Sequence, residues 1–493
     1  MEKAAIRINQ KDNVAVALKR IEAGEVVEID GEKVTVKDAV PFGFKFALTG
    51  IKEGEPVIKY GAPIGAATKD IENGEGIHTH NLKSLLSGRK DYDVKINKIE
   101  RIFIEGTRTV NAYVRSDGGI GIRNDIFILP TVGCVNDICQ RIADKARQLS
   151  GYEDIYAFKH PYGCSQLGED QLNTQLILKG MAKHPNAGGV LVVSLGCENN
   201  NLSEFTKVLG NFDSDRVKFI VTQQCRDEVE EGAQIAAALA EACRGERREP
   251  VDISKLVVGL KCGGSDALSG ITANPLVGAV AEKLEKMGAS VIMTEVPEMF
   301  GAEHILMERS HDEMVYNDII ELINSFKEYY IKHGESVSEN PSPGNKEGGI
   351  TTLEEKSLGC IQKGGGCVVA DVIKYGESIK ERGLTLLEGP GNDIVAQTAL
   401  AAAGAHIILF TTGRGTPLGA PVPTVKISSN SALAQNKPHW IDFDAGALLG
   451  GESLGSLSDK LLDLIVEVAN GKKTRNEENN YRDFAIWKGG VTL

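Results

Sequence analysis

The alternation of apolar and polar positions changes character about ninety residues into the chain. Before that point the runs are short. "GEVVEIDGEKVTV" alternates on both sides of Asp30-Gly31, a two-residue hairpin signal. "AVPFGFKFALTGIKEGEPVIKYGAPIGAATKDI" continues in short runs broken by Gly and Pro. The pattern predicts a small β-domain over residues 1–92, with 93–110 as a linker. Beyond it, longer apolar runs end in a thiol. "DIFILPTVGC" ends in Cys134, "IYAFKHPYGC" in Cys164, "GGVLVVSLGC" in Cys197, "VKFIVTQQC" in Cys225 and "KLVVGLKC" in Cys262. Helical stretches lie between several of them, such as "QLNTQLILKGMAKH" and "EEGAQIAAALAEACRG". Strand and helix in alternation predict an α/β fold with largely parallel sheets. The five thiols are then expected at strand carboxyl ends along one edge, where open α/β sheets bind ligands. We divide this part into an α/β domain, 111–250, and a C-terminal α/β catalytic domain, 251–493.

The second half continues in the same style. "ASVIMTEVPEMFGAEHIL" reads as strand, acidic loop, helix. "LTLLEGPGNDIVAQTALAAAGAHIILFTTGRGTPLGAP" reads as strand, Gly-rich turn, helix, strand, Gly-rich loop. Between them "GESVSENPSPGNKEGGITTLEEKSLG" is polar and rich in Gly, Ser and Pro, a solvated linker or a functional loop.

Composition narrows the function classes. Hydrophobic residues make up 42% and charged residues 25% of 493 positions, ordinary for globular protein. The net charge of −13 argues against a nucleic-acid or anionic-membrane partner. No apolar stretch is long enough for a membrane helix, and the start of the chain lacks a secretory h-region. Nine scattered cysteines do not make a secreted disulfide framework. A cytoplasmic location with reduced thiols is expected. A homodimer is expected only because symmetric dimers are the commonest oligomers.

Candidate chemistry falls in several clusters. In "GIHTHNL", His78 and His80 lie two apart, on one side of an extended segment. Two imidazoles suit Fe²⁺, Mn²⁺ or Zn²⁺, or they are ordinary surface histidines. "KHPYGCSQ" offers His160 and Cys164, a nucleophile pair, two ligands or plain packing. "LGCENNN" offers Cys197 and Glu198 at a sheet mouth. In "KCGGSDALSGITANP", Lys261, Ser265 and Asp266 flank a Gly pair whose N–H groups suit a carboxylate. "TEVPEMFGAEH" carries Glu295, Glu298, Glu303 and His304, one of the acids being a candidate base or ligand. "EGPGNDIVA" places Gly391 and Asn392 where a helix opens after a strand, an anion site. No acid ends the next strand, so a nicotinamide site is not expected. Arg414, in "TTGRGTPLGAP", can clamp a carboxylate. Arg115 and Arg123, in "YVRSDGGIGIRN", hold an anion or simply pair with Asp117. P-loop, HExxH and CxxC patterns are missing.

Together "GIHTHN", "RSDGGIGIRN", "HPYGCSQLGED", "KCGGSDALSGITANPLVG", "VPEMFGAE", "NPSPGNKEGGITTLEEKSLGC", "PGNDIVAQTALAAAGAH" and "FTTGRGTPLGAPVPTVKISSNS" resemble the altronate/galactarate dehydratase family, over nearly the whole chain. The first ninety residues resemble its SAF, or β-clip, domain. The resemblance implies conversion of D-altronate to 2-dehydro-3-deoxy-D-gluconate and water, with Fe²⁺, or Mn²⁺ in its place. It implies a sugar-acid substrate and no particular ligand set.

The residue reading supplies one. His78 and His80 are expected at the metal, with Cys164, Cys197 and Glu198 as further ligands. His160 is expected to move the proton, with Glu298 and Lys261 as further catalytic candidates. Arg115, Ser265, Asp266, Gly391, Asn392 and Arg414 are expected at the substrate. Three other readings stay open. One is an iron–sulfur dehydratase built on three of the strand-end thiols. Another is a lyase for galactarate or a sulfonated hydroxy acid, and the last is a non-catalytic sugar-acid binding protein.

Overall fold

The computed structural model describes residues 3–92, 98–490 and 492. The hairpin expected at Asp30-Gly31 joins strands Val26–Ile29 and Glu32–Thr35, with Ile29 opposite Glu32. Both turn residues have positive φ, 53° and 86°, the type I′ geometry that matches strand twist. Tyr60-Gly61 repeats it between Pro56–Lys59 and Ala62–Ala67. These hairpins and a four-stranded antiparallel sheet make the N-terminal β-domain. Part of the expected linker, residues 93–97, lies outside the described residues.

The expectation of one thiol-lined edge is corrected by the pairing: there are two parallel sheets. Strands Ile155–Ala157, Asp125–Pro130, Ala187–Ser194 and Val217–Val221 form the first, in that order. Their carboxyl ends lead to Cys134, Cys164, Cys197 and Cys225. Val257–Cys262, the fifth run, belongs to a seven-stranded sheet. Its order is Val369–Ile373, Gly383–Leu387, Ser290–Met293, Val257–Cys262, Ile407–Thr412, Thr424–Ser428, Phe443–Asp444. The central strands of both sheets are buried on two faces, so Asp125–Pro130, Ala187–Ser194 and Ile407–Thr412 read as largely apolar runs. A small antiparallel sheet pairs Thr109–Val114 with Glu249–Asp252, residues on either side of position 250.

The strand order of the larger sheet decides where a ligand fits. The chain enters at the central strand Val257–Cys262. It moves to one side through Ser290–Met293 and Gly383–Leu387, then crosses to the other side at Ile407–Thr412. Connections therefore diverge at the carboxyl end of Val257–Cys262, and such a switch point leaves a crevice.

The β-domain shares a core with the larger α/β unit. Val57, Ile64 and Ile71 pack in one cluster with Leu260, Phe300 and Leu358. A buried ionic triad reinforces the joint. Lys45 Nζ donates to Glu355 Oε2 at 2.9 Å and to Thr351 Oγ1 at 2.6 Å, while Lys59 Nζ donates to Glu355 Oε1 at 2.8 Å. Glu355 lies on helix Leu353–Cys360, whose eight residues are all buried.

Three buried histidines make the fold acid-sensitive. Burial pushes His160 and His406 down to about 4 and His184 to about 3, from an ordinary 6.5. An unfolded chain binds those protons first, so stability falls as pH drops from 6.5 toward 4. At about 1.4 kcal/mol per pH unit, each histidine removes roughly 3 kcal/mol by the bottom of that window. We expect the midpoint of urea unfolding to drop steeply between pH 7 and pH 4. His160→Gln should flatten that drop, and an unchanged slope would show that His160 does not contribute.

Candidate active site

At the switch point, alternating cations and acids fill the sheet edge. Lys261, fully buried at the penultimate position of strand Val257–Cys262, donates to Glu295 and, at 2.7 Å, to Asp393 Oδ1. Glu295 follows strand Ser290–Met293, and Asp393 opens the helix Asp393–Ala402. Glu295 sits in left-handed backbone, φ 70° and ψ 56°, a strained conformation for a residue with a Cβ. The strain turns its carboxylate back over the strand end, where Oε2 also accepts from Cys262 N at 3.1 Å. Burial alone would strip the charge from Lys261, but Glu295 and Asp393 outweigh it and hold the ammonium. Burial with Cys262 and Glu298 nearby pushes the Glu295 carboxyl up. Lys261 is thus tied to two acids and does not stand free as a base.

One step further in, Glu298 meets two thiols. Its Oε2 accepts from Cys262 Sγ at 2.9 Å and from Cys360 Sγ at 3.1 Å, and the sulfurs are 3.5 Å apart. Among the described residues this is the only group of three His, Cys, Asp or Glu donors within 4.8 Å of one another. Burial would raise the Glu298 carboxyl, but Lys356, Lys363 and Lys261 outweigh it and hold it well below the usual range. Lys356 Nζ is 2.8 Å from Glu298 Oε1. A hydrogen bond from Cys360 brings Cys262 down to about 6 against the push of burial.

The cluster opens into a cleft of about 680 Å³. Glu298, Lys356, Asp393, Gly391 and the Gly263-Gly264 pair line it, with Asn340, Asn345 and Lys346 from the polar segment read as a linker or loop. That segment folds into helices Pro343–Glu347 and Leu353–Cys360. The second helix faces two ways: Glu354 and Glu355 hold the β-domain, while Lys356 and Cys360 face the cluster.

Several sequence candidates meet here. Lys261 and Glu298 lie in the cluster, and Gly391 lines the cleft. Asn392 instead caps the helix it precedes, accepting from Val395 N at 3.2 Å. Ser265 is buried beside the Gly pair, its hydroxyl without a partner among the described residues. Asp266 accepts from Ser269, Ser429 and Asn430 and is spent on the loop. Arg414 lies half exposed and pairs with Glu347 at 3.3 Å.

Others are held elsewhere. Both ring nitrogens of His160 are occupied, Nε2 with Pro130 O at 2.8 Å and Nδ1 accepting from Tyr162 N. Held neutral by burial, it is placed as a brace and not for proton transfer. Arg115 is committed to Glu246, Pro185 O and Arg123 O. Glu198 accepts from Thr131, Ser194 and the N–H groups of Leu195 and Gly196. The five expected ligands do not converge. His78 stacks on Phe44 and contacts Lys346 O at 3.0 Å, with His80 exposed beside it. Cys164, Cys197 and Glu198 stand at the smaller sheet. Cys360, Lys356, Lys363 and Asp393 were not singled out from sequence. The available signal was "LEEKSLGC", charged residues within a segment that has no exposed face.

Known proteins resemble this chain along its whole length. Residues 3–85 match the altronate/galactarate dehydratase SAF domain. Residues 112–244 match the second domain of D-galactarate dehydratase/altronate hydrolase, and 253–492 the C-terminal domain of D-galactarate/altronate dehydratase. The chain is 50% identical to the altronate dehydratase of Escherichia coli (strain K12), over 99% of each chain. It is 49% identical to that of Bacillus subtilis (strain 168), over the full length of both. Identity to the galactarate dehydratase (L-threo-forming) of Escherichia coli (strain K12) is 31%, over 95% of this chain and 93% of the relative. With its cleft set at the switch point of the larger sheet and its whole length matched, the chain belongs to the altronate/galactarate dehydratase family.

Proposed function

We propose that this protein dehydrates D-altronate to 2-dehydro-3-deoxy-D-gluconate. The observation that carries the reading is 49–50% identity across the full length of two altronate dehydratases, against 31% for the galactarate enzyme. The geometry supplies what such a reaction needs. A sugar-acid carboxylate fits against Lys356, Lys346 and Asn345 on one wall of the cleft. Asp393 is the base for the C2 proton: it reaches the cleft, and Lys261 steadies it from behind. Lys356, held as an ammonium beside Glu298, hydrogen-bonds the departing C3 hydroxyl and steadies its developing charge, and solvent in the cleft supplies the proton that completes water. The enol left behind tautomerises to the keto acid. Positioned acid and base groups contribute roughly 10²–10⁴-fold each.

The donor set also fits a resident metal. Two thiols and one carboxylate, gathered in a buried pocket that reaches the cleft through Glu298, match a borderline ion. Cys262, Glu298 and Cys360 would hold Fe²⁺, and the sulfurs suit it better than Mn²⁺. Bound there, Fe²⁺ would supply Lewis acidity toward substrate oxygens.

Anaerobic turnover by EDTA-stripped protein tests the reading, with keto acid measured from D-altronate and galactarate, with and without Fe²⁺. We expect product from altronate in excess over galactarate, restored by Fe²⁺. Faster turnover of galactarate would move the substrate, and no product from either would leave a binding protein.

A further inference from the structure

A second cysteine constellation stands apart from the cleft residues. Cys134, Cys164 and Cys197 are all exposed and free. Each immediately follows a glycine: Gly133, Gly163 and Gly196. Each lies just beyond one of three adjacent strands of the four-stranded sheet, Asp125–Pro130, Ile155–Ala157 and Ala187–Ser194. Cysteine is among the most buried residue types, so three exposed thiols on one sheet edge are unusual. Cys225, at the fourth strand, is different: it is half-buried, with Sγ turned onto Val221 O at 3.3 Å.

The glycines let the three loops close on one another. A Cβ on Gly163 would lie 2.0 Å from Thr131 O, and one on Gly133 would lie 2.9 Å from His160 O. Hydrogen bonds then stitch the loops together. Gly133 N donates to Tyr162 O at 2.8 Å, Asn200 N to Gly163 O at 3.0 Å, and Ser165 N to Asn199 Oδ1 at 2.9 Å. Ser165 takes a left-handed φ of 57° beside Cys164, strain that persists only where the surroundings impose it. His160 and Glu198 brace the same loops from behind. The fold thus spends buried polar groups to hold the loops that carry three solvent-facing thiols.

The three sulfurs are not gathered closely enough for a single ion. A single ion about 2.3 Å from each sulfur keeps its sulfurs within about 4.6 Å of one another. Among the described residues, these three thiols are not a group within 4.8 Å. Gln223 Nε2 donates to Cys197 Sγ at 3.3 Å, and such bonds to ligand sulfur tune iron–sulfur centres.

We propose that Cys134, Cys164 and Cys197 bind a [4Fe–4S] cluster, each thiolate ligating one iron. Three thiols release three protons to solvent as a [4Fe–4S]²⁺ cluster assembles from two Fe²⁺, two Fe³⁺ and four sulfides, so no electron changes hands. The fourth iron would lack a thiol from the fourth strand, since Cys225 turns its sulfur onto Val221 O. Three separate strand ends would then do in space what closely spaced cysteines do in sequence in ferredoxins.

The test is full-length protein prepared without oxygen and incubated with equal amounts of Fe²⁺ and Fe³⁺ and with sulfide, then desalted. We expect iron and acid-labile sulfide in equal amounts, with broad visible absorbance. Cys134→Ser, Cys164→Ser and Cys197→Ser together should abolish the labile sulfide, whereas Cys225→Ser and the paired Cys262→Ser/Cys360→Ser keep it. In case the triple variant fails to fold, thiol alkylation of wild-type protein gives a second reading. The cluster should shield these three thiols, and chelation should expose them. Wild type without labile sulfide, iron bound without sulfide, sulfide retained by the triple variant, or alkylation unaffected by reconstitution would each overturn the proposal. Loss of the cluster leaves the cleft reading standing, since Cys262 and Cys360 are tested separately.

Discussion

Replacing Asp393 with asparagine is expected to lower kcat on D-altronate by roughly 10²–10⁴-fold, the contribution of a positioned general base. The carboxylate has three features suited to that role. It lines the cleft, with its side chain 39% exposed. It receives Lys261 Nζ at 2.7 Å. It also sits in the first turn of a helix, where the backbone dipole favours an anion. Asparagine keeps the shape and the helix start but cannot take a proton. KM should change much less than kcat, because the cations placed against the substrate are untouched. Steady-state kinetics with the variant at matched metal content provides the measurement. A wild-type kcat would remove Asp393 from the chemistry and leave Glu298 as the buried acid on the cleft, beside the exposed Glu335 and Glu339.

Glu355→Ala should cost roughly 3–5 kcal/mol of stability, the range for breaking a buried ion pair from one side. Lys45 and Lys59 are each 1% exposed and share this one carboxylate. Those two ammoniums outweigh burial and hold Glu355 down to about 2. Without it, burial has nothing to oppose it, and Lys45, already brought down to about 8, should lose its proton outright. Activity should fall as well, because the helix that carries Glu355 also carries Lys356 and Cys360. Urea unfolding and turnover on the same preparation separate the two effects. Replacing all three charges by apolar residues of similar volume should recover most of the stability, since the penalty lies in the orphaned charges. An unchanged unfolding midpoint in Glu355→Ala would mean that water reaches the lysines.

How much of this was readable in the residues depends on range. Hairpins at Asp30-Gly31 and strand–helix alternation are local patterns, and both appear as expected. The division of five thiol-ending strands between two sheets was not readable, because strand partners lie far apart in sequence. Val257–Cys262 looks like its predecessors but pairs with Ser290–Met293 and Ile407–Thr412. The same limit hid the cleft. Glu298 and Cys360 are 62 positions apart, and only the fold makes them neighbours. His160 misled for the opposite reason. A histidine near a cysteine after a strand suggests chemistry, yet here two backbone groups claim both ring nitrogens. Lys356 and Glu355 are adjacent in sequence and serve different partners, which no periodicity reveals.

The joint between the β-domain and the larger sheet bears on chain continuity. Lys45 and Lys59 on Glu355, Ser84 and Leu85 on Glu354, and His78 on Lys346 O all cross it without using the backbone that links the two parts. These attachments are specific, largely buried and independent of the peptide bonds between residues 85 and 109. The two parts made as separate polypeptides would carry everything needed to find each other. The single chain then serves mainly to raise the local concentration of one part around the other.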